Sequence, residues 1–202
     1  MARPEREIRA EFDRDTITVY QAFSDLIAGP AITAQTFVPP FKVERMTWVK
    51  PSFLWTMHRS GWARKPNQER ILAVRITREG FEWALRHSCL SHSSKAISRG
   101  EWRKVLQAVP VRVQWDPERS PRLERLAYRS IQVGLSGEAV HRYINSWIVA
   151  IEDRTALARQ AEAHVESEQI SALLALLPAE APYPVPADVA KKLGMNASIT
   201  PP

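Results

Sequence analysis

The chain has 202 residues, 45% of them hydrophobic and 25% charged, with a net charge of +6. That length and composition suit one compact domain with an extension and exclude a disordered chain. No apolar run approaches the roughly 20 residues that span a bilayer, and the single cysteine, Cys89, excludes an internal disulfide and fits a reducing cytoplasm. The charged opening, Met1 to Glu7, has no apolar segment, so a secretory signal is not expected.

The positive charge is concentrated. Residues 42–104 carry fourteen Lys or Arg against five acidic residues, whereas residues 1–41 and 156–202 are mildly acidic. A basic middle points to a phosphate-bearing partner, nucleotide or nucleic acid, although a solvated basic surface has the same composition.

In chain order, residues 3–15 alternate charges and read as an exposed lead-in. Thr16 to Phe23 is β-branched and aromatic and predicts a strand. Ser24 and Asp25 offer an N-cap to a short helix through Ala34, with Pro30 expected only in a first turn or at a kink. Phe37 to Phe41 reads as extended loop of polyproline geometry. Arg45 to Lys50 alternates like a strand. Pro51 suits the first position of a helix over 52–59 that Gly61 stops. Arg70 to Ile76 predicts a strand, and Thr77 caps a helix whose Phe81, Ala84 and Leu85 share a face. Ser88 to Ser94 reads as a loop and 98–105 as a helical turn. Val109 to Trp115 alternates as a strand, Asp116 to Pro121 reads as a turn, and Ala127 to Leu135 predicts a further strand. A short helix over 138–145, a last strand over 147–151, and a helix from Thr155 to about Leu177 follow. The chain closes with a proline-rich stretch and a helical segment over 186–194. The order of elements implies an α+β fold, with a core domain over 1–155 and a C-terminal extension over 156–202 packing on it. No Gly-x-Gly-x-x-Gly follows any strand, so a bound nucleotide would be held by side chains.

Residues 46–62 hold three of the seven tryptophans, Trp48, Trp55 and Trp62, interleaved with Lys50, His58 and Arg59. A helix from Ser52 would place Trp55, His58, Arg59 and Trp62 on one face. Arginine beside indole rings makes a phosphate clamp, and tryptophan stacks a planar base; a core strand followed by a helix with a basic outer face fits the same residues. The cluster His87 to His92 offers two histidines and Cys89, too few ligands at suitable spacing for zinc, so no metal site is expected. A strand presenting Ser130 and Gln132 on one face would supply neutral hydrogen bonds to a sugar or amide.

Arg6 to Asp13, Val19 to Phe23, Gln35 to Phe41, Met46 to Trp55, Val113 to Arg119, Tyr128 to Leu135 and the closing Pro182 to Pro186 resemble the uncharacterised family catalogued as domain of unknown function 4291. That resemblance implies a single compact domain and carries no activity. The layout of Val19-Tyr20-Gln21, Thr47 to Ser52 and the strand from Ile71 is also similar to the first half of ADP-ribosyltransferase-like folds, which hold NAD in a split sheet. The similarity implies NAD as cofactor, with Tyr20 and Gln21 on the first strand, Thr47 or Ser52 on the second and Gln132 on a later one. The sequence departs from that pattern in lacking His or Arg at position 21 and a carboxylate at position 132.

These readings converge on an enzyme-like domain that binds a nucleotide or nucleic-acid phosphate. Lys50 and Arg59 neutralise charge, Trp48 and Trp62 stack or shape the pocket, and Gln21, Ser130 and Gln132 bond a ribose or amide. The rival reading is a non-catalytic RNA- or DNA-binding module.

Overall fold

A computed structural model describes residues 3–92 and 98–195. Among them are nine strands in three sheets and eight helices, an α+β fold. Sheet A is three-stranded, with β2 (Thr16–Phe23) and β8 (Ile148–Asp153) flanking β4 (Arg70–Thr77), all antiparallel. Sheet B runs in the order β3 (Thr47–Val49), β7 (Arg125–Leu135), β6 (Val111–Arg119), β5 (Ser88–Leu90), and only β5 is parallel to its neighbour. The third sheet pairs β1 (Arg9–Ala10) with β9 (Ala181–Pro182), so the C-terminal segment lies beside the N-terminal one.

Sheets A and B meet at a single rung. Tyr20 N–H donates to Lys50 O at 2.7 Å and Lys50 N–H to Tyr20 O at 3.3 Å. No other main-chain pair joins β2 to β3 among the described residues, and the two strands part toward Phe23 and Thr47. The main core fills the space between sheet faces with Ile17, Val19, Leu72, Val74, Val113, Ile131 and Val133, all at most 1% exposed. A second cluster joins Tyr20, Phe53, Met57, Trp62 and Ile71 to Ala158, Ala161 and Leu173. Through it α6 (Thr155–Glu166) and α7 (Ile170–Leu176) pack on α2 (Phe53–Ser60).

Local sequence explains most boundaries. Helix α1 (Asp25–Ala34) starts after Ser24, with Pro30 inside it. Ser52 accepts from Trp55 N–H as the N-cap of α2, and Gly61 ends that helix in the left-handed region at φ 57°. Thr77 caps α3 (Arg78–Arg86) by accepting from Gly80 N–H, and Phe81, Ala84 and Leu85 are all buried. Ser98 and Glu101 form a reciprocal capping box on α4 (Arg99–Ala108).

Several expectations are corrected. Residues 3–15 are not an exposed lead-in: Ile8 and Ala10 are fully buried, and Phe12 packs edge-on against Tyr183. Pro51 precedes the N-cap instead of opening the helix. The segment 37–41 turns back, with Phe41 N–H donating to Val38 O at 3.0 Å. Ser88 to Leu90 is a strand because it finds the free edge of β6; Ser93 and Ser94 lie outside the described residues. Asp116 to Arg119 continues β6, since Pro117 stands at a register shift where no ladder hydrogen bond is required of it. The 138–145 helix is α5 (Glu138–Arg142), running into a π-helical turn over Tyr143–Trp147. The long helix from Thr155 breaks at Ser167–Gln169, where Glu168 has φ 56°. The closing segment forms α8 (Ala187–Lys192).

Gly80 has a specific reason to be glycine. A Cβ there would lie 2.3 Å from Cγ of Trp147, whose ring is only 6% exposed and cannot swing away. Gly80→Ala is therefore expected to destabilise the protein by about 1–3 kcal/mol through overpacking, read as a lower urea midpoint; an unchanged midpoint would show that the Trp147 ring is not held against α3.

Candidate functional site

Where β2 and β3 part, a cavity of about 390 Å³ opens, bordered by Tyr20 to Phe23 from β2, Met46 to Trp48 and Lys50 from β3 and its flanks, Trp55, Thr56 and Arg59 from α2, Gln68, and Gln132 from β7. Strand alternation decides which groups face it. Ile131, Val133 and Leu135 of β7 point into the core, so Ser130, Gln132 and Gly134 take the opposite face with Trp48 and Lys50 of the β3 segment. The Trp48 ring covers Gly134, with ring atoms 2.8–2.9 Å from where a Cβ would stand.

Lys50 is the central group. Its residue is 2% exposed, yet it carries an ammonium. Nζ donates to Asp116 Oδ2 at 3.0 Å and lies 3.7 Å from the Trp55 ring centroid. Asp116 is oriented in turn by Gln114, whose Nε2 donates to Oδ1 at 2.7 Å. An ammonium has three N–H groups, and Asp116 takes one, so donors remain for a ligand. Burial brings its pKa down to about 8, with Asp116 acting in the opposite direction. Arg59 stands exposed on the rim.

Gln21 borders the cavity but its amide is committed to the protein. Nε2 donates to Thr47 Oγ1 at 2.8 Å and to Trp48 O at 3.1 Å, while Oε1 accepts from the fully buried Tyr143 hydroxyl at 2.7 Å. It leaves β2 on the side of Ile17 and Val19 and spans the gap that main-chain pairing leaves open. Tyr20 borders the cavity with its ring turned into the second core cluster, edge-on to Phe53 at 5.4 Å.

The structure thus gathers Tyr20, Gln21, Thr47, Trp48, Lys50, Arg59 and Gln132 around one cavity, and sets Ser52, His58, Trp62 and Ser130 apart. The single helix face of Trp55, His58, Arg59 and Trp62 is not formed, because Gly61 ends α2 and Trp62, at φ 55°, folds into the second core cluster. His58 is half-buried outside the lining, and burial and then Arg119 hold its pKa down. Ser52 donates to Glu118 Oε1 at 2.8 Å, beside a separate cavity. Ser130 pairs across the sheet with Asp116, and its buried hydroxyl has no protein partner. His87 stacks on Trp83 at 3.9 Å, burial raises the pKa of Cys89, and no three His, Cys, Asp or Glu side chains converge as metal ligands among the described residues.

Asp116 and Trp55 are the partners that sequence reasoning did not give to Lys50. Reading Asp116 to Pro121 as a turn hid Asp116, although its alternation with Val113 and Trp115 places it on the face away from the core.

The sequence model of the family described as "Domain of unknown function (DUF4291)" matches residues 7–183. The chain belongs to this family. The match includes every residue that borders the cavity, so this split between β2 and β3 falls within the DUF4291 domain. A search of curated proteins gives no match.

Two measurements test this arrangement. Gln21→Leu leaves the Tyr143 hydroxyl and Thr47 without their partners in the interior, and a loss of about 3 kcal/mol in urea unfolding is expected; a change within error would mean that another group closes the junction. For Lys50, the folded pKa near 8 lies below the ordinary 10.5. The unfolded chain therefore binds more protons between those values, and stability should rise with pH across that window and be lost as pH falls to 8. Unfolding curves of Lys50→Met should lack that rise.

Proposed function

We propose that the cavity between β2 and β3 binds the phosphate-bearing part of a nucleotide, with Lys50 as the buried cation, Arg59 as the exposed outer cation and the indoles of Trp48 and Trp55 as apolar walls. The observation that carries this reading is the buried ammonium of Lys50, held on one side by Asp116 at 3.0 Å and left with unused donors beside an open cavity. A buried charge costs several kcal/mol even when paired. An anion in the cavity would complete its hydrogen bonding, and rings on two sides would strengthen that attraction by excluding water.

The ligand has room to extend. A second cavity of about 240 Å³ shares Phe23, Met46 and Thr47 with the first and adds the apolar Ile27, Pro40 and Phe41 under a rim of Lys42 and Arg45. A two-part ligand such as NAD suits this pair, phosphates near Lys50 and Arg59 and a planar ring toward Phe41. The ADP-ribosyltransferase-like reading is supported only in placement: Gln21, Thr47 and Gln132 stand on neighbouring strands across the opening, as that resemblance implies, but Gln21 and Thr47 bond each other and leave Gln132 as the group of the three that is free for a ligand. Among the described residues no carboxylate borders the cavity, and Gln132 offers hydrogen bonds instead of charge at the third position. Transfer chemistry through a carboxylate at that position is therefore not part of the proposal.

Titration of the full chain with NAD, ADP-ribose, ATP and a short single-stranded oligonucleotide tests the reading. Arg59→Gln should weaken nucleotide binding roughly 5- to 50-fold, as expected for one charge-assisted hydrogen bond. Affinity should also fall as pH rises through about 8, because Lys50 gives up its proton there. Nucleotide affinity indifferent to both changes would remove the cavity from ligand binding. Tight oligonucleotide binding with a steep salt dependence, and none of the nucleotides, would replace this reading with the nucleic-acid module.

A further inference from the structure

A third cavity, about 200 Å³ in volume, lies on the far side of the segment Lys50 to Phe53 from the nucleotide cavity. Its wall is drawn from distant parts of the chain: Arg3 and Arg9 near the N-terminus, Glu118, Arg119 and Tyr128 from β6 and β7, and Leu177 to Glu180 from the segment before β9. Three guanidinium groups and two glutamates border it, yet no Arg–Glu ion pair forms among these five.

The acids are engaged elsewhere. Glu118 Oε1 accepts from the Ser52 hydroxyl and from Arg119 N–H, each at 2.8 Å. Glu180 Oε1 accepts from Phe53 N–H at 2.8 Å, and burial raises its pKa to about 8, so it carries a proton at neutral pH. The lining therefore holds three cations against the Glu118 carboxylate, and Glu7, outside the lining, pairs with Arg3 at 3.6 Å and with Arg9 at 3.2 Å. Arg3 lies 3.4 Å above the Tyr128 ring, and its Nε is buried without a hydrogen-bond partner, as is that of Arg119. Arg9 is fixed by Glu7 at 3.2 Å and by the Glu180 carbonyl at 2.7 Å. Arg119 donates Nη1 to Leu123 O at 3.3 Å, so the deficit rests on the two buried, unpartnered Nε groups of Arg3 and Arg119, which an oxyanion could meet with bidentate bonds.

We infer that this cavity is a second binding site, for a small oxyanion, a phosphate or carboxylate group, held by Arg3, Arg9 and Arg119 and separate from the nucleotide cavity. The apolar side chains of Leu54, Leu177 and Pro178 on its margin give space to a short apolar body attached to that group. This inference does not depend on the nucleotide reading, since no residue is shared between the two linings.

The test is calorimetric titration of the full chain with inorganic phosphate and, separately, with benzoate, at constant ionic strength. Arg119→Gln and the pair Arg3→Gln with Arg119→Gln should weaken binding of the preferred anion at least about tenfold, a factor worth about 1.4 kcal/mol. Arg119→Lys, which keeps the charge without the fork, should lose less, and Arg59→Gln should leave the Arg119-dependent binding in place, altering at most a separate phosphate event in the other cavity. A preference for phosphate over benzoate, or the reverse, identifies the group the site takes. Three results would overturn the inference: no binding of either anion, binding unaltered in the Arg3 and Arg119 pair, or binding abolished by Arg59→Gln, which would place the anion in the nucleotide cavity. Thermal unfolding of each variant separates loss of the site from loss of the fold, and if Arg119→Gln fails to fold, Arg3→Gln alone must still weaken binding.

Discussion

The burial of one ammonium organises this protein. Lys50 sits 2% exposed at the one rung that joins two sheets, and its charge is tolerated only because Asp116 and the Trp55 ring are both in place. Those partners come from different elements. Asp116 reaches Lys50 only if β7 stands between β3 and β6 in the observed register, and Trp55 reaches it only if α2 begins immediately after the rung. A buried pair of this kind adds little net stability, because desolvation offsets attraction, but losing one partner costs about 3–5 kcal/mol. The arrangement thus specifies the register of sheet B more than it strengthens it.

The same rung explains why there is a cavity at all. Main-chain pairing between β2 and β3 stops after Tyr20 and Lys50, and Gln21 then bridges the strands with a side chain in place of the backbone. A side-chain bridge holds two strands at a wider spacing than a ladder does, which leaves room beside it. Gln21 therefore contributes by keeping the split open at a fixed width, with both of its amide N–H groups and one lone pair of Oε1 already used within the protein. Thr47 is fixed by the same bond, so the polar groups freest to meet a guest are Lys50, Arg59, Gln68 and Gln132.

Much of this was legible in the sequence where the signal was local. The strand over 16–23, the cap at Thr77 and the stop at Gly61 follow from β-branching, hydroxyl capping and the left-handed preference of glycine, whereas Pro51 drew the start of α2 away from its N-cap, Ser52. Four of the residues around the cavity between β2 and β3, Trp48, Lys50, Trp55 and Arg59, also stood out by type, as aromatics and cations in one short stretch. What was hidden depends on pairing between distant segments. Ser88 to Leu90 is a strand only because β6 offers an edge, and β1 exists only because Ala181 and Pro182 return to it. Asp116 looked like a turn residue because a proline follows it, and nothing local says that a register shift absorbs that proline. Helical periodicity placed Trp62 beside Arg59, whereas the stop at Gly61, itself correctly read, carries the indole off the helix and into the core.

One short segment separates the two proposed sites, and its bonding accounts for the charge of both. Lys50 is held by Asp116, Ser52 by Glu118 and the Phe53 amide by Glu180. Asp116 and Glu118 are alternate residues of β6, and they meet the alternate residues Lys50 and Ser52 as two rungs of side-chain pairs. Three acids are thereby directed into the wall between the cavities. Arg59 on one side stands exposed, and on the other Arg3, Arg9 and Arg119 border their cavity without those acids, Arg3 and Arg9 pairing with Glu7 instead. A surplus of cations at both cavities is thus a consequence of how the wall is built. The uneven charge of the sequence shows half of this, since Arg59 belongs to the basic middle, while Arg3 and Arg9 lie in a stretch that is acidic on balance and become part of a cationic site only when the chain folds.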